Sequence, residues 1–446
     1  MVEMLVSTAL IIFVMVILTQ VFAYGLQSLR NLRGVGSMQE QLRYATNILR
    51  RDLSAPHFGK ETTALNGPYL SQQRADLFDW QPPREGFFRI IQGSNSVLEG
   101  IDGDGIPSFR AVDHALQFTV RLDMNAGGGT GRDQFFRTSQ IPMPFMDGFA
   151  SGTEYLAPDN QYSSRWAEIA YFLDPNGQQA GGANLYTLYR RKLVLLDSRT
   201  ANKDFANTPM VVPNSPAGYE ETLVEPSLFR NPRLSRYYYN TPADVTLPLR
   251  RFFNNFSAIS STAMRNAFDV VYQGVPVTTA VPLRDYTLVG LAPPSDPQFR
   301  PLQKMQLLNS SNQLAFQQAN GGDDILLENV LSMEIRVNWE VPTDTRLQNM
   351  AVRGPRAGVA FDEPFDILPP SPSGSPNFFG NSVLAGANGP FVFDTWAGTD
   401  NYKFIGIGQS PLNMPLRIRV KAIQIRLRVW DIKTQQARQV TLVQDL

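Results

Sequence analysis

The sequence predicts an α+β fold: one long N-terminal helix, membrane-embedded over its first half, packed on an antiparallel β-sheet that carries large loop insertions. Three observations predict it. Met4 to Tyr24 is a 21-residue apolar run without a charge, long enough to cross a bilayer as a helix. Met38, Leu42, Ala45, Leu49 and Leu53 follow at spacings of four, three, four and four, which is one face of an amphipathic helix. Several later segments alternate apolar and polar residues with period two, the pattern of strands with one buried face.

The first element reads MLVSTALIIFVMVILTQVFAY. Ser7, Thr8, Thr19 and Gln20 interrupt it mildly, since each can bond to its own helix backbone. No basic n-region precedes the run and no small-x-small cleavage site follows, so it reads as a retained membrane helix rather than a cleaved signal peptide. Glu3 sits at its mouth. The helix dipole favours an acid there, and a positive group on a neighbouring subunit would favour it further.

In the second half, Gln39, Glu40, Arg43, Arg50, Arg51 and Asp52 occupy the polar faces, and Pro56 ends the helix. Gly25, Gly34 and Gly36 lie between the halves, each weakening the helix by about 1 kcal/mol relative to alanine. A helix over Met1 to Leu53 would be about 80 Å long.

The strand signals come later. His114 to Leu122 places Leu116, Phe118, Val120 and Leu122 on one face. Leu331, Met333, Ile335, Val337 and Trp339 alternate with polar residues, as do Ile423, Ile425, Leu427 and Val429. Val440 and Leu442 continue after a turn at Asp431 to Gln435. The buried faces need a partner, and the stripe from Met38 to Leu53 supplies one. Gly, Pro, Asn and Ser clusters mark loops at about 197–321 and 341–400. The organisation is therefore an N-terminal helix at 1–55 (spanning about 4–24, amphipathic about 37–53) and a β-rich domain at 56–446 with those two insertions.

Composition narrows the chemistry. With 446 residues, 43% of them hydrophobic and 18% charged, the chain can build a large core. Lys+Arg and Asp+Glu balance at 40 each, without the basic excess that nucleic-acid binding requires. With no cysteine, disulfides, zinc-thiolate sites and thiol nucleophiles are excluded.

His57 and His114 are the only histidines, too few for a histidine-rich metal site. Asp102-Gly103-Asp104-Gly105 resembles a fragment of a calcium loop, but the next acid is Asp113 and the spacing fails; a turn is the better reading. Asp102 and Asp104 are thus weak metal candidates only. Gly127 to Gly131 lacks the P-loop lysine. Tyr237-Tyr238-Tyr239 fits either an exposed aromatic patch or a core strand. Arg190-Arg191 and Arg250-Arg251 read as solvated strand-edge or loop charges, with salt bridges as their usual fate. No catalytic residue and no cofactor is assigned, and the chain is not expected to be an enzyme.

The run VEMLVSTALIIFVMVIL resembles the mature N-terminus of type IV pilins and pseudopilins, with Val2-Glu3-Met4-Leu5 matching the motif around the glutamate. Gln41-Leu42-Arg43-Tyr44-Ala45 through Ile48-Leu49-Arg50-Arg51-Asp52-Leu53 is similar to the end of the first helix in J-type minor pseudopilins of type II secretion, and in W-type minor pilins of type IV pili. Trp166 to Leu173 followed by Leu185 to Arg191 looks like the J-type strand pair, Leu326 to Val330 leads into a similar later sheet, and the last two strands resemble the closing hairpin.

The resemblance implies a leader and an aromatic first residue ahead of this chain's start. It implies removal of that leader by a prepilin peptidase and methylation of the new amine. Glu3 would then neutralise a neighbour's terminal amine, while Leu5, Ala9, Ile12 and Val16 pack against other helices. The partners implied are other minor and major pilin-like subunits and the inner membrane, crossed once, with the C-terminal domain in the periplasm. Arg30 and Arg33 follow the span and by the positive-inside rule would hold that domain in the cytoplasm; long domains, however, translocate largely regardless of flanking charge. The alternatives are a W-type minor pilin and a membrane-anchored envelope binding protein that never polymerises.

Overall fold

A computed structural model of the chain describes residues 2–59, 65–77, 79–92, 96–101, 107–112, 114–122, 136–138, 162–196, 227–231, 236–246, 251, 307–308, 314–316, 323–340, 391–396, 418–432 and 434–446. Helix α1 is continuous from Val2 to Leu53, 52 residues in all, or about 78 Å at 1.5 Å per residue. Arg50 and Arg51 occupy its last turn, where the dipole favours cations. The Ser54 N–H still reaches the Arg50 carbonyl at 2.9 Å, and Pro56 then prevents another turn.

The strands in chain order begin with β1 (Phe88–Gln92), β2 (Ser96–Ile101), β3 (Pro107–Ala111), β4 (Ala115–Arg121), β5 (Phe136–Thr138) and β6 (Tyr162–Ser164). Next come β7 (Trp166–Ala180), β8 (Ala183–Val194), β9 (Leu228–Asn231), β10 (Arg236–Tyr239), β11 (Leu307–Leu308) and β12 (Leu314–Phe316). The last four are β13 (Asp323–Glu340), β14 (Phe391–Asp394), β15 (Arg419–Asp431) and β16 (Gln436–Asp445). One 8-stranded antiparallel sheet has the order β14-β1-β4-β7-β8-β13-β15-β16. The other strands form two-stranded ribbons. The fold is α+β: an N-terminal apolar helix and a curled antiparallel sheet.

Met38, Leu42, Ala45, Leu49 and Leu53 lie buried against the sheet. They meet Leu116, Phe118 and Val120 of β4, Ile169 and Tyr171 of β7, Met333, Ile335 and Val337 of β13, and Ile423, Ile425 and Leu427 of β15 in one core. The alternation in β13 holds from Met333 to Val337. A register shift between Val330 and Ser332 puts Val330, rather than Leu331, into the helix-side core. An extra residue in one strand shifts every later side chain by one position.

The expectation of one buried face is incomplete. Every residue of β4 is buried, including Gln117, Thr119 and Arg121, which face away from the helix. The cover comes from the segments expected to be loop insertions. Strand β14 pairs with β1 at the sheet edge. Phe87, Trp166, Leu195 and Val245 make a second apolar cluster with Trp396 against it. A sheet buried on both faces needs polar groups satisfied inside. Glu168 accordingly accepts from Gln117 Nε2 and Ser227 Oγ, each at 2.7 Å.

The arginine doublets are a second correction: Arg190, Arg191 and Arg251 are buried, not solvated. Arg251 donates to Asp394 through Nη1 (2.5 Å) and Nη2 (3.2 Å), and its guanidinium lies 3.7 Å over the Phe87 ring. This pair ties one expected insertion to the other across the back of the sheet. Arg191 stacks on Phe172 at 5.1 Å. Arg250 lies outside the described residues.

The sheet curls because β13 changes neighbours. Its first half pairs with β8, and its second half leaves β8 and pairs with β15. Side chains then fill the vacated backbone positions. Gln92 Nε2 donates to the Ile335 carbonyl at 2.7 Å, the Ile335 N–H donates to His114 Nδ1 at 3.0 Å, and Ser332 Oγ bonds the Ala111 backbone.

The glycines of α1 differ in their surroundings. A Cβ on Gly34 would come 3.0 Å from Asp431 Oδ2 at the β15–β16 turn, whereas one on Gly36 or Gly25 would meet nothing within 4 Å. Gly36→Ala is therefore expected to stabilise the helix by about 1 kcal/mol. Gly34→Ala should gain less, because Asp431 must move and its 2.9 Å bond from Thr434 Oγ1 is disturbed. Urea titration of the two variants checks the order.

Candidate assembly surface

Two stretches of one helix meet different environments. Residues Val2–Leu26 have a mean hydropathy of 2.5 and none of that window is buried. It is long and apolar enough to cross a membrane. Three of the four polar interruptions satisfy themselves: Ser7 Oγ donates to the Glu3 carbonyl (2.8 Å), Thr8 Oγ1 to that of Met4 (2.6 Å) and Thr19 Oγ1 to that of Met15 (2.7 Å), whereas Gln20 is exposed and makes no such bond among the described residues. No hydroxyl proton among these three is left to face lipid unbonded.

Glu3 lies exposed in the first turn. Leu5, Ile12 and Val16 are 71%, 63% and 49% exposed, and Ala9 is exposed with them. At spacings of four, three and four they share one helix face. They form an exposed stripe, with the Glu3 carboxylate two residues before its N-terminal end.

The other half of α1 is the mount. Besides the apolar stripe, it carries a charge that the helical pattern assigned to a polar face. Asp52 is 3% exposed. Its Oδ2 accepts from Tyr171 Oη and from Arg190 Nε, both at 2.6 Å, and its Oδ1 lies 3.3 Å from Arg51 Nη2. Arg190 also reaches Asp324 at 3.4 Å. Burial works against the charge on Arg190, but the adjacent Asp52 carboxylate outweighs it and raises the guanidinium pKa. Burial, and next the Asp52 charge, pushes the Tyr171 phenol well above its ordinary value. Both groups remain donors to Asp52 throughout the ordinary pH range. One signal of this lock was present in the sequence: Tyr186, Leu188 and Arg190 alternate, so Arg190 shares the face of two core residues.

The histidines are core residues. His57 is stacked edge-on against Phe88 and Phe118, with Nδ1 at 2.9 Å from the Thr119 carbonyl and Nε2 at 3.3 Å from that of Leu53. Burial lowers its pKa to about 4, against the opposing pull of those carbonyls and Asp52. Burial, and then the Arg336 charge, lowers His114 to about 3. Both rings are buried.

Asp102, Asp104 and the glycine run 127–131 lie outside the described residues. Among the described residues no group of three or more His, Asp or Glu side chains could hold a metal ion. Tyr237-Tyr238-Tyr239 forms most of β10, paired with β9.

Comparison of the chain with protein-family models, with curated proteins and with solved structures finds no match.

Proposed function

We propose that this chain is a minor pseudopilin, a structural subunit of a type II secretion pseudopilus rather than an enzyme. The observation that carries the reading is the division of α1. One unbroken helix exposes an apolar, spanning-length half and embeds its other half in the core of a sheet domain. A tether alone needs no rigid connection to the domain it holds. A subunit that transmits its position to neighbours through a helix bundle does.

In this reading Val2–Leu26 holds the subunit in the inner membrane before extraction. The stripe of Leu5, Ala9, Ile12 and Val16 then packs against the helices of other pilin-like subunits. Glu3 sets the register by pairing with a cationic group there, since a lone carboxylate in low dielectric is expensive. The β-rich domain faces the periplasm and binds further minor subunits in a tip complex that initiates assembly. The resemblance of Trp166 to Leu173 and Leu185 to Arg191 to the J-type strand pair supports the reading of type II secretion ahead of a type IV pilus.

The test is co-purification from detergent-solubilised membranes, native protein against Glu3→Gln. Pilin-like subunits should accompany the native protein, with recovery reduced roughly tenfold in the variant, equivalent to about 1.4 kcal/mol of lost pairing. A protein that purifies alone in both cases rules out polymerisation and leaves a membrane-anchored binding protein.

A further inference from the structure

Strand β16 is the last strand of the sheet among the described residues, and its ten residues pair with β15 in an unbroken register from Gln436 to Asp445. Among the described residues no strand covers its outer side. Open edges are normally blunted by proline, lysine, a bulge or shortness. The opposite edge, β14, is four residues long. Strand β16 reads QARQVTLVQD, with no proline, no lysine and no register shift. Val443 on it is 47% exposed.

Beside this edge, under the overhang of α1, lies a groove of about 460 Å³. Leu42, Arg43 and Thr46 of the helix form one wall, and Arg438, Gln439 and Val440 of β16 line the other. No acidic residue lines it. Arg438 Nε is buried without a hydrogen-bond partner, and neither Arg438 nor Arg43 makes an ion pair among the described residues. A strand added to β16 would project alternate side chains into this groove. It would bring apolar groups to Leu42 and Val440 and a carboxylate to the two arginines.

We propose that the β16 edge and this groove accept an extended segment of another polypeptide as a ninth strand. The segment alternates apolar and polar residues and carries a glutamate or aspartate on its apolar face. The backbone ladder supplies affinity, and the two groove arginines select the acid. The proposal stands independently of the assembly role of α1, because none of its residues belongs to the apolar half of the helix.

The probe is a fluorescent ten-residue peptide alternating valine and threonine, with one glutamate replacing a central valine. It is titrated by anisotropy against the full chain in detergent. Two further peptides carry lysine in place of the glutamate, or a proline beside it. The glutamate peptide is expected to bind, with affinity falling roughly tenfold or more for the lysine peptide and binding lost for the proline peptide. Arg43→Glu, at an exposed helix position, should weaken the glutamate peptide and strengthen the lysine one. Equal binding of the glutamate and lysine peptides, or no binding of any, overturns the proposal. So does disulfide dimerisation of Gln439→Cys that the glutamate peptide fails to compete, because the occupant is then a second copy of this chain.

Discussion

Replacing Asp52 with alanine is expected to destabilise the folded domain by about 3–5 kcal/mol, the usual cost of removing one partner from a buried ion pair. The side chain itself is small; the loss comes from what it leaves behind. Arg190 is 4% exposed and stays charged, because Asp52 raises its pKa against the opposing effect of burial. After truncation its remaining acid is Asp324, 3.4 Å away and 60% exposed at the side chain, where solvent screens the attraction. The Tyr171 hydroxyl loses its acceptor as well. The double variant Asp52→Leu, Arg190→Met removes both charges and should recover much of the loss, since a well-packed apolar pair often matches a buried ion pair.

Urea unfolding of the full chain in mild detergent, followed by tryptophan fluorescence, measures all three variants. A cost below about 1 kcal/mol for Asp52→Ala would mean that water reaches Arg190, and the lock would then be no lock. The site matters beyond stability. Asp52 stands in the last turn of α1, so the contact holds the helix end to β7 and β8 and fixes the direction in which the apolar half leaves the domain.

Stability is also expected to fall on mild acidification, by about 4 kcal/mol between pH 7 and pH 5. This follows from two histidines taken at about 1.4 kcal/mol per pH unit each below their unfolded pKa. Both folded-state pKa values are depressed from 6.5, to about 4 for His57 and about 3 for His114. Below pH 6.5 the unfolded chain therefore binds protons that the folded chain refuses. The stabilising contribution is complete above pH 6.5, falls as pH drops toward 4, and is lost below the folded values.

The geometry agrees with the sign at His114. Its Nδ1 accepts the Ile335 N–H, which a doubly protonated ring cannot do. His114→Gln keeps an acceptor for Ile335 and has no titratable ring, so its pH dependence should be about half as steep. Urea midpoints at pH 7, 6 and 5 test this. An unchanged slope in both His114→Gln and His57→Gln would show that other groups carry the acid sensitivity.

Much of the architecture was legible because periodicity is a local property. The spacing from Met38 to Leu53 and the alternation in β4, β13 and β15 each follow from which side chains must leave water together. The length and apolarity of Val2–Leu26 belong to composition alone. The strand that slipped, β13, shows the limit: Val330 and Leu331 are both apolar, and pattern cannot say which of them a bulge will turn toward the helix.

The buried charges were misplaced for a related reason. Asp52, Arg190, Arg191 and Arg251 were assigned to solvent because a lone charge is costly to bury. For two of these pairs the compensating charge is distant in sequence, 138 residues away for Asp52 and Arg190 and 143 for Arg251 and Asp394. The same holds for the second face of the sheet, where Ser227, Val245, Arg251 and Phe393 of the supposed insertions are buried.

By itself, then, the sequence determined that this protein has a spanning-length apolar helix half, a helix half that must lie on a sheet, and the strands to receive it. Tertiary structure alone decided which face each bulged strand presents, which charges are buried, and that β16 is an edge beside a groove. Hydrophobic burial is written in near neighbours along the chain, whereas charge pairing and strand order depend on residues that only folding brings together.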